Sequence, residues 1–265
     1  MGLAVTACKV CMMHLGRFQM FLRIMIIALA LVCTSCKAGD SILDNYGVNE
    51  QNRTVISELE ELLDSNELSQ TKELLSRNNI DIDTADDKGR TLLIAAILSE
   101  EYDAAKMLLK LGANPNFLPS GKHKSAMGWA AQYKNTKFLQ LLLDFGGNPD
   151  LFNKGERTAS YPVLSAISAD RIDNLKLLVD AGANLNVVDQ RGLTPLMYGA
   201  SVSAWEMVYL MLESGADISV KNKWNESFST YVAQPDLGTT GDALEWRKKV
   251  ISFLQDRGIT ITSQK

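Results

Sequence analysis

The sequence has no cysteine after residue 36 and only two histidines, His14 and His123. Its four cysteines all lie in the N-terminal segment, at Cys8, Cys11, Cys33 and Cys36. The rest of the chain therefore has neither a disulfide nor a thiol nucleophile. With one histidine left, that part is also a poor candidate for a zinc site or a histidine-based catalytic triad.

Common catalytic motifs are also missing. No G-x-S-x-G or H-E-x-x-H pattern occurs, and Gly121-Lys122 lacks the preceding glycine and the following Ser or Thr of a phosphate loop. Ser69-Gln70-Thr71-Lys72 matches the S-x-x-K of serine acyl enzymes, but its companion motifs are absent. We read this stretch as part of a solvated helix, and we predict no enzymatic activity, no cofactor and no metal.

Basic residues are scarce once the N-terminal segment is set aside. Residues 1–36 carry three of the 27 basic residues and none of the 31 acidic ones, so their removal leaves a net charge of -7. An acidic body of this kind disfavours nonspecific nucleic-acid binding. We therefore expect no nucleic-acid partner.

Residues 24–33 (IMIIALALVC) form an uninterrupted apolar run, with Arg23 before it and small residues after it. Ten residues are too few to span a bilayer as a helix. A buried core helix would not account for the N-terminal position or the positive flank. The layout predicts that residues 1–36 are a secretory signal peptide.

Thr34-Ser35-Cys36 ends this segment and resembles a bacterial lipoprotein signal, in which small residues precede an acylated cysteine. The resemblance implies lipidation of Cys36, although Cys33 stands where such signals usually have Leu. Lys37 and Ala38 follow, and similar lipoproteins without Asp at the second position are sorted to the outer membrane. The alternative is ordinary cleavage, which leaves a soluble periplasmic protein.

The next residues, 37–54, are polar and show no hydrophobic periodicity. We predict a flexible tether with an r.m.s. reach of about 23 Å.

A five-residue pattern recurs four times, beginning at Gly112 (GANPN), Gly146 (GGNPD), Gly182 (GANLN) and Gly215 (GADIS), with spacings of 34, 36 and 33 residues. Each copy follows a Leu-rich segment. The glycine is therefore expected to end a helix in the left-handed conformation, and Asn78 is expected to do so one unit earlier.

This pattern, together with Leu193-Thr194-Pro195-Leu196, resembles the ankyrin repeat, whose unit is a β-turn finger followed by two antiparallel helices. The resemblance runs from about Ile56 to Ile261. It implies an all-α ankyrin-repeat solenoid over residues 55–262, in about six units including caps. A closing helix is expected at residues 243–257, after an insertion at 232–242. Small residues are expected to let neighbouring repeats approach closely at Ala96, Ala130, Ala166 and Gly199.

In ankyrin stacks the finger tips and first helices form the binding face, and the resemblance assigns individual positions to it. The finger positions are Asp87, Lys88, Arg90, Lys122, Lys124, Arg157, Gln190, Arg191, Lys223 and Trp224, and the helix positions include Gln132 and Tyr133. Every finger thus carries at least one Lys or Arg. We predict a basic stripe that binds a protein with an acidic surface. The alternative is that these charges only keep exposed loops soluble.

The combination of export signal, repeats and missing catalytic residues favours a protein-binding function in the bacterial envelope. The chain looks like the ankyrin lipoproteins associated with phospholipase effectors of type VI secretion. The leading hypothesis is therefore an outer-membrane-anchored immunity protein that neutralises a toxin reaching the periplasm. The alternative is a scaffold or chaperone-like protein that stabilises a periplasmic enzyme or envelope complex. A third is an effector that acts inside a host, which lipidation would disfavour.

Overall fold

A computed structural model of the chain describes residues 62, 65, 67–85, 90–118, 124–152, 161–234 and 240–261. The predicted signal peptide, Cys36 and the tether lie outside these residues. The chain divides into two compact units, Met1–Pro119 and Ser120–Lys265. Each unit is described by itself.

The described residues are helical and contain no strand beyond one isolated bridge, between Lys221 and Ser227. The first unit has α1 (Leu68–Arg77), α2 (Leu92–Leu98) and α3 (Tyr102–Lys110). The second has α4 (Ala126–Gln132), α5 (Lys137–Asp144), α6 (Pro162–Ser168), α7 (Ile172–Asp180), α8 (Pro195–Ser201), α9 (Trp205–Glu213), α10 (Phe228–Val232) and α11 (Asp242–Asp256). The predicted all-α ankyrin-repeat architecture is confirmed.

Short helices alternate with helices that are generally longer. We call α2, α4, α6, α8 and α10 the first helices and α3, α5, α7, α9 and α11 the second helices. Three first helices begin at a hydroxyl residue whose Oγ accepts a backbone N–H three residues on, at Thr91, Ser125 and Thr194. This capping explains why Ser or Thr stands before each of these apolar segments.

In the second unit the first helices pack side by side in the order α4, α6, α8, α10, and the second helices pack in the order α5, α7, α9, α11. Residues of α6 from Pro162 to Ile167 are all buried, because this helix has neighbours in both rows. Burial of this kind stabilises each repeat chiefly through the next one.

The recurring loop pattern has a hydrogen-bonding role. In each copy the Asn or Asp after the small residue accepts the backbone N–H two residues on, as Asn184 does from Asn186 at 2.9 Å. In the copies that end at Asp150 and Asn186, the last side chain also accepts from the following repeat. Asp150 Oδ1 accepts from Asn184 N at 2.8 Å, and Asn186 Oδ1 accepts from Asp217 N at 2.7 Å. The pattern therefore ties successive loops together.

The four pattern glycines end their helices in the left-handed region as predicted, with φ of 102°, 81°, 80° and 83° at Gly112, Gly146, Gly182 and Gly215. The assignment of Asn78 to this role is wrong. Asn78 has φ of -96°, and its side chain donates to Leu74 O, whereas Asn79 has φ of 50°. Helix α1 ends one residue later than the spacing suggested.

The predicted small-residue positions are buried, with Ala96 at 4% exposure and Ala130 and Ala166 at 0%. At Gly199 the close neighbour is within the same repeat. A Cβ there would lie 2.9 Å from Val208 Cγ2, on the second helix that follows. The missing side chain therefore lets α8 approach α9.

The last two helices end the second unit. Helix α11 (Asp242–Asp256) lies one residue before the predicted closing helix and packs on α9. Arg247 of α11 donates to the carbonyls of Val232 and Gln234 at 2.9 and 2.7 Å, which ties α11 to the end of α10. Part of the predicted insertion, residues 235–239, lies outside the described residues.

Gly182→Val should lower the free energy of unfolding by about 1–2 kcal/mol. A Cβ at Gly182 would meet nothing within 4 Å, so the cost comes from the backbone, whose φ is 80°. Chemical denaturation measures it. Ala181→Val is the matched control, because Ala181 is exposed with an ordinary φ of -79°. Equal stability of the two variants would contradict the left-handed assignment.

Candidate protein-binding surface

The described first helices of the second unit carry no charged residue: their sequences are AMGWAAQ, PVLSAIS, PLMYGAS and FSTYV. Charges lie on the second helices and in the fingers. An uncharged helix row beside charged loops offers a partner an uncharged contact region in the middle and charges at the edge.

The finger at residues 187–194 is organised around one buried carboxylate. Asp189 Oδ1 accepts from the backbone N–H groups of Arg191 (2.8 Å) and Leu193 (2.9 Å). Its Oδ2 pairs with Arg191 Nε at 2.9 Å. The Asp189 side chain is 1% exposed and that of Arg191 is 42% exposed. The negative charge is thus turned inward, and the Arg191 side chain is partly exposed, with its Nη2 atom buried and without a hydrogen-bond partner.

The next finger, residues 220–227, repeats this geometry with an amide in place of the carboxylate. Asn222 Oδ1 accepts from the N–H groups of Trp224 and Glu226, both at 2.9 Å. Asn222 Nδ2 donates to Glu226 Oε2 at 2.7 Å, and Tyr231 Oη donates to the same oxygen at 3.1 Å. Burial, followed by the neighbouring Glu226, raises the pKa of Tyr231, so its hydroxyl stays a donor.

The two fingers are joined through their backbones. Lys223 N donates to Arg191 O at 3.2 Å. Gly192, with φ of 80°, permits this contact, because a Cβ there would lie 3.1 Å from Lys223 N. The fingers therefore present their side chains from a fixed frame.

Cations and one large aromatic residue face outward from this frame. Trp224 is 60% exposed, the largest exposure among the large hydrophobic residues described. Lys221 and Lys223 are exposed, and the Arg191 guanidinium lies 6.0 Å from the ring centre of Tyr198 on α8. We call Arg191, Tyr198, Lys221, Lys223 and Trp224 the finger patch.

The structure places the predicted site residues unevenly. Gln190, Arg191, Lys223 and Trp224 lie together in the joined fingers. Lys124 is half-buried with its Nζ 5.1 Å from the ring centre of Trp129, and Gln132 donates to Ser168 Oγ at 3.3 Å. Arg90 belongs to the first unit and is half-buried. Four others, Asp87, Lys88, Lys122 and Arg157, lie outside the described residues.

Tyr133 is half-buried at the end of α4, and its ring centre lies 6.1 Å from that of Phe138. Sequence reasoning missed Tyr198, which stands seven residues after Arg191. Tyr198 lies on α8, and its ring lies under the guanidinium of Arg191 in the finger. It also missed Lys221, two residues before Lys223 in the same finger, which a plain count of finger charges finds.

Sequence reasoning likewise missed Asp189 and Asn174, which are both buried polar residues. Neither had a positional signal, because a hydrophilic residue on an amphipathic segment is ordinarily assigned to the exposed face.

Two findings concern other kinds of site in the described part of the chain. No helix there is long and apolar enough to cross a membrane. No cluster of three His, Cys, Asp or Glu side chains there has the proximity to hold a metal ion.

The family model of ankyrin repeats in three copies matches residues 127–222, and the single ankyrin repeat matches residues 88–118. The chain therefore carries ankyrin repeats. Such repeats are generally non-enzymatic protein-interaction modules, so their presence indicates a protein-binding module.

Relatives come from very different organisms. A putative ankyrin repeat protein of fowlpox virus, FPV222, is 27% identical over 199 residues, covering 72% of this chain and 25% of its own length. Protein PhlB of Serratia liquefaciens is 35% identical over 117 residues, covering 44% of this chain and 50% of its own. The chain thus spans no more than half the length of either relative.

Solved structures share the fold. The ankyrin repeat protein EF0377 aligns with a TM-score of 0.56 and 23% identity, covering 74% of this chain and 96% of its own. The ankyrin repeat domain of Bcl-3, described as a unique member of the IkappaB family, aligns with a TM-score of 0.59 and 20% identity, covering 76% and 86%.

Proposed function

We propose that this chain is an immunity protein anchored to the periplasmic side of the outer membrane, where it binds and neutralises a secreted toxin with an acidic surface. The finger patch is the contact region. A phospholipase effector is the toxin class suggested by the resemblance to ankyrin immunity lipoproteins.

One observation carries the choice of an acidic partner. In a chain with net charge -4, the carboxylates of the joined fingers are internally bonded, and the neighbouring Lys221 and Lys223 are exposed. Asp189 still offsets part of the Arg191 charge, so Lys221 and Lys223 supply most of the positive field. Such a field steers an acidic surface into contact and suppresses basic partners.

Trp224 supplies the apolar contact that the charged residues of the finger patch do not provide. An exposed indole on a rigid loop loses little conformational freedom when it is buried by a partner, and Trp is enriched among residues that dominate binding energies. The Asn222 bonds hold its backbone in place before binding. The patch therefore combines electrostatic steering with a preformed apolar anchor.

Competition between sibling strains tests this function. A strain lacking the gene should lose viability beside its wild-type parent, and a copy of the chain should restore it. A strain that survives without the gene and shows no loss against its parent would rule out immunity. If the missing gene instead lowers the amount of a periplasmic enzyme, a scaffold role replaces it.

Cys36→Ala should move the protein from the membrane pellet to the soluble periplasmic fraction. Acyl chains on the N-terminal cysteine are the proposed anchor, and a chain without them loses the apolar contact with the bilayer that they provide. Fractionation followed by immunoblotting measures the distribution, with Cys33→Ala as the matched control. An unchanged pellet fraction for Cys36→Ala would contradict lipidation at this residue.

A further inference from the structure

The turn between α4 and α5 differs from the corresponding turns of three other repeats. After α2, α6 and α8 the turn is three residues long and contains one residue with positive φ: Glu100 (60°), Asp170 (57°) and Ser203 (60°). After α4 it is four residues long, 133–136, and none of these four has a positive φ. Tyr133 is instead extended, with φ of -69° and ψ of 149°.

Side chains of the next repeat hold this turn. Asn174 of α7 donates from its side-chain amide to the carbonyl oxygens of Ala130 (3.3 Å), Ala131 (3.0 Å) and Tyr133 (2.7 Å). Arg171 Nε donates to Gln132 O at 3.1 Å. Four consecutive carbonyls at the end of α4 thus receive donors from residues about 40 positions later in the chain. A helix end that lacks a left-handed residue needs such donors.

Asn174 is an unusual residue for its place. It is 1% exposed, and its Oδ1 has no hydrogen-bond partner. The same position in α3 and α9 is occupied by the buried apolar residues Ala104 and Met207. An unsatisfied buried oxygen is costly, so a packing role alone would be served better by an apolar side chain. Asn174 therefore contributes to the structure through the amide hydrogens that it donates to the carbonyl oxygens of the turn.

We propose that Asn174, assisted by Arg171, is a positioning residue that fixes the α4–α5 turn and orients Tyr133 toward the protein partner. The proposal rests on the function proposed above, and it makes this turn a second contact region in addition to the finger patch. The Tyr133 carbonyl is held at 2.7 Å, and its ring lies against Phe138, which is 1% exposed. Lys134 and Asn135 are exposed beside it.

A fluorinated tyrosine at position 133 reports the orientation without a partner. In the full chain it should give one sharp ¹⁹F resonance. Asn174→Met copies the residue at the same position of α9, so the fold should be retained, but the resonance should shift and broaden or split. Fluorotyrosine at Tyr209, on α9, is the control and should not change. Arg171→Met should produce a smaller change of the same kind, and it serves if Asn174→Met does not fold.

An unchanged Tyr133 resonance in a folded Asn174→Met or Arg171→Met protein would overturn the positioning role. The sibling competition then tests the contact. Tyr133→Ala and Asn174→Met should each reduce survival, and the double variant should survive no worse than Tyr133→Ala alone. Additive losses would show that Asn174 acts elsewhere. If the strain without the gene loses nothing, the proposed function has failed, and the fluorine spectrum still decides whether Asn174 positions Tyr133.

Discussion

Asn174→Asp should lower the free energy of unfolding by about 3–5 kcal/mol, because it places an uncompensated charge in the interior. A carboxylate has no hydrogen to donate, and the three carbonyl oxygens around it lie within 3.3 Å of the present amide nitrogen. The site is 1% exposed, so water cannot screen the repulsion. Chemical denaturation near neutral pH measures the loss.

The matched control is the neighbouring Asp173→Asn, which makes the reverse change at a side chain that is 74% exposed. It should alter stability by less than about 0.5 kcal/mol. Acidification should return part of the stability of Asn174→Asp, because a protonated carboxyl can donate to one carbonyl. A variant as stable as the unmodified chain at neutral pH would contradict the hydrogen-bonding role of Asn174.

Reversing the two exposed finger lysines, Lys221→Glu with Lys223→Glu, should slow association with the toxin by about tenfold or more at low salt. The wild-type on-rate should fall steeply as ionic strength rises, while that of the double variant should hardly change. Stopped-flow or surface-based kinetics measures both, using the toxin that kills a strain lacking this gene. Arg191 is left in place because its loss would expose the Asp189 charge and disturb the finger.

Trp224→Ala should act on the dissociation rate constant of the complex with the toxin. Removal of a large anchor is expected to cost about 2 kcal/mol of binding free energy, which raises the off-rate about 30-fold and leaves the on-rate nearly unchanged. The control for the lysine variant is Lys72→Glu with Lys106→Glu, the same charge change at exposed positions on α1 and α3. A control that slows association equally would mean that net charge, and not the finger patch, governs encounter.

The fold was predictable because its signals are local and repeated. The glycine at the end of each of the second helices α3, α5, α7 and α9 must be left-handed whatever surrounds it. The Asn or Asp two positions after that glycine accepts a hydrogen bond from a backbone N–H of its own loop. At Thr91, Ser125 and Thr194 the hydroxyl residue before an apolar segment likewise caps the adjoining helix. Four concordant copies of such a pattern leave little room for another architecture.

The candidate surface was less predictable, since the relevant contacts join residues distant in the sequence. The finger positions of Arg191, Lys223 and Trp224 follow from the repeat. However, the pairing of Arg191 with a buried Asp189 depends on how the loop closes. Asn174 lies about 40 residues from the carbonyls to which it donates. Its role depends on the α4–α5 turn, which differs from the corresponding turns of three other repeats. A periodic pattern predicts what repeats share, not where one repeat departs from the rest.

Survival of a gene-deletion strain among its wild-type siblings is the most direct test of the finger patch as the toxin-binding surface. The strain is complemented with the wild-type chain, with the Lys221/Lys223 double variant or with the Lys72/Lys106 control, all at equal amounts in the envelope. The wild-type chain and the control should protect, and the finger variant should leave the strain poisoned. Full protection by the finger variant would contradict the assignment of toxin binding to this surface.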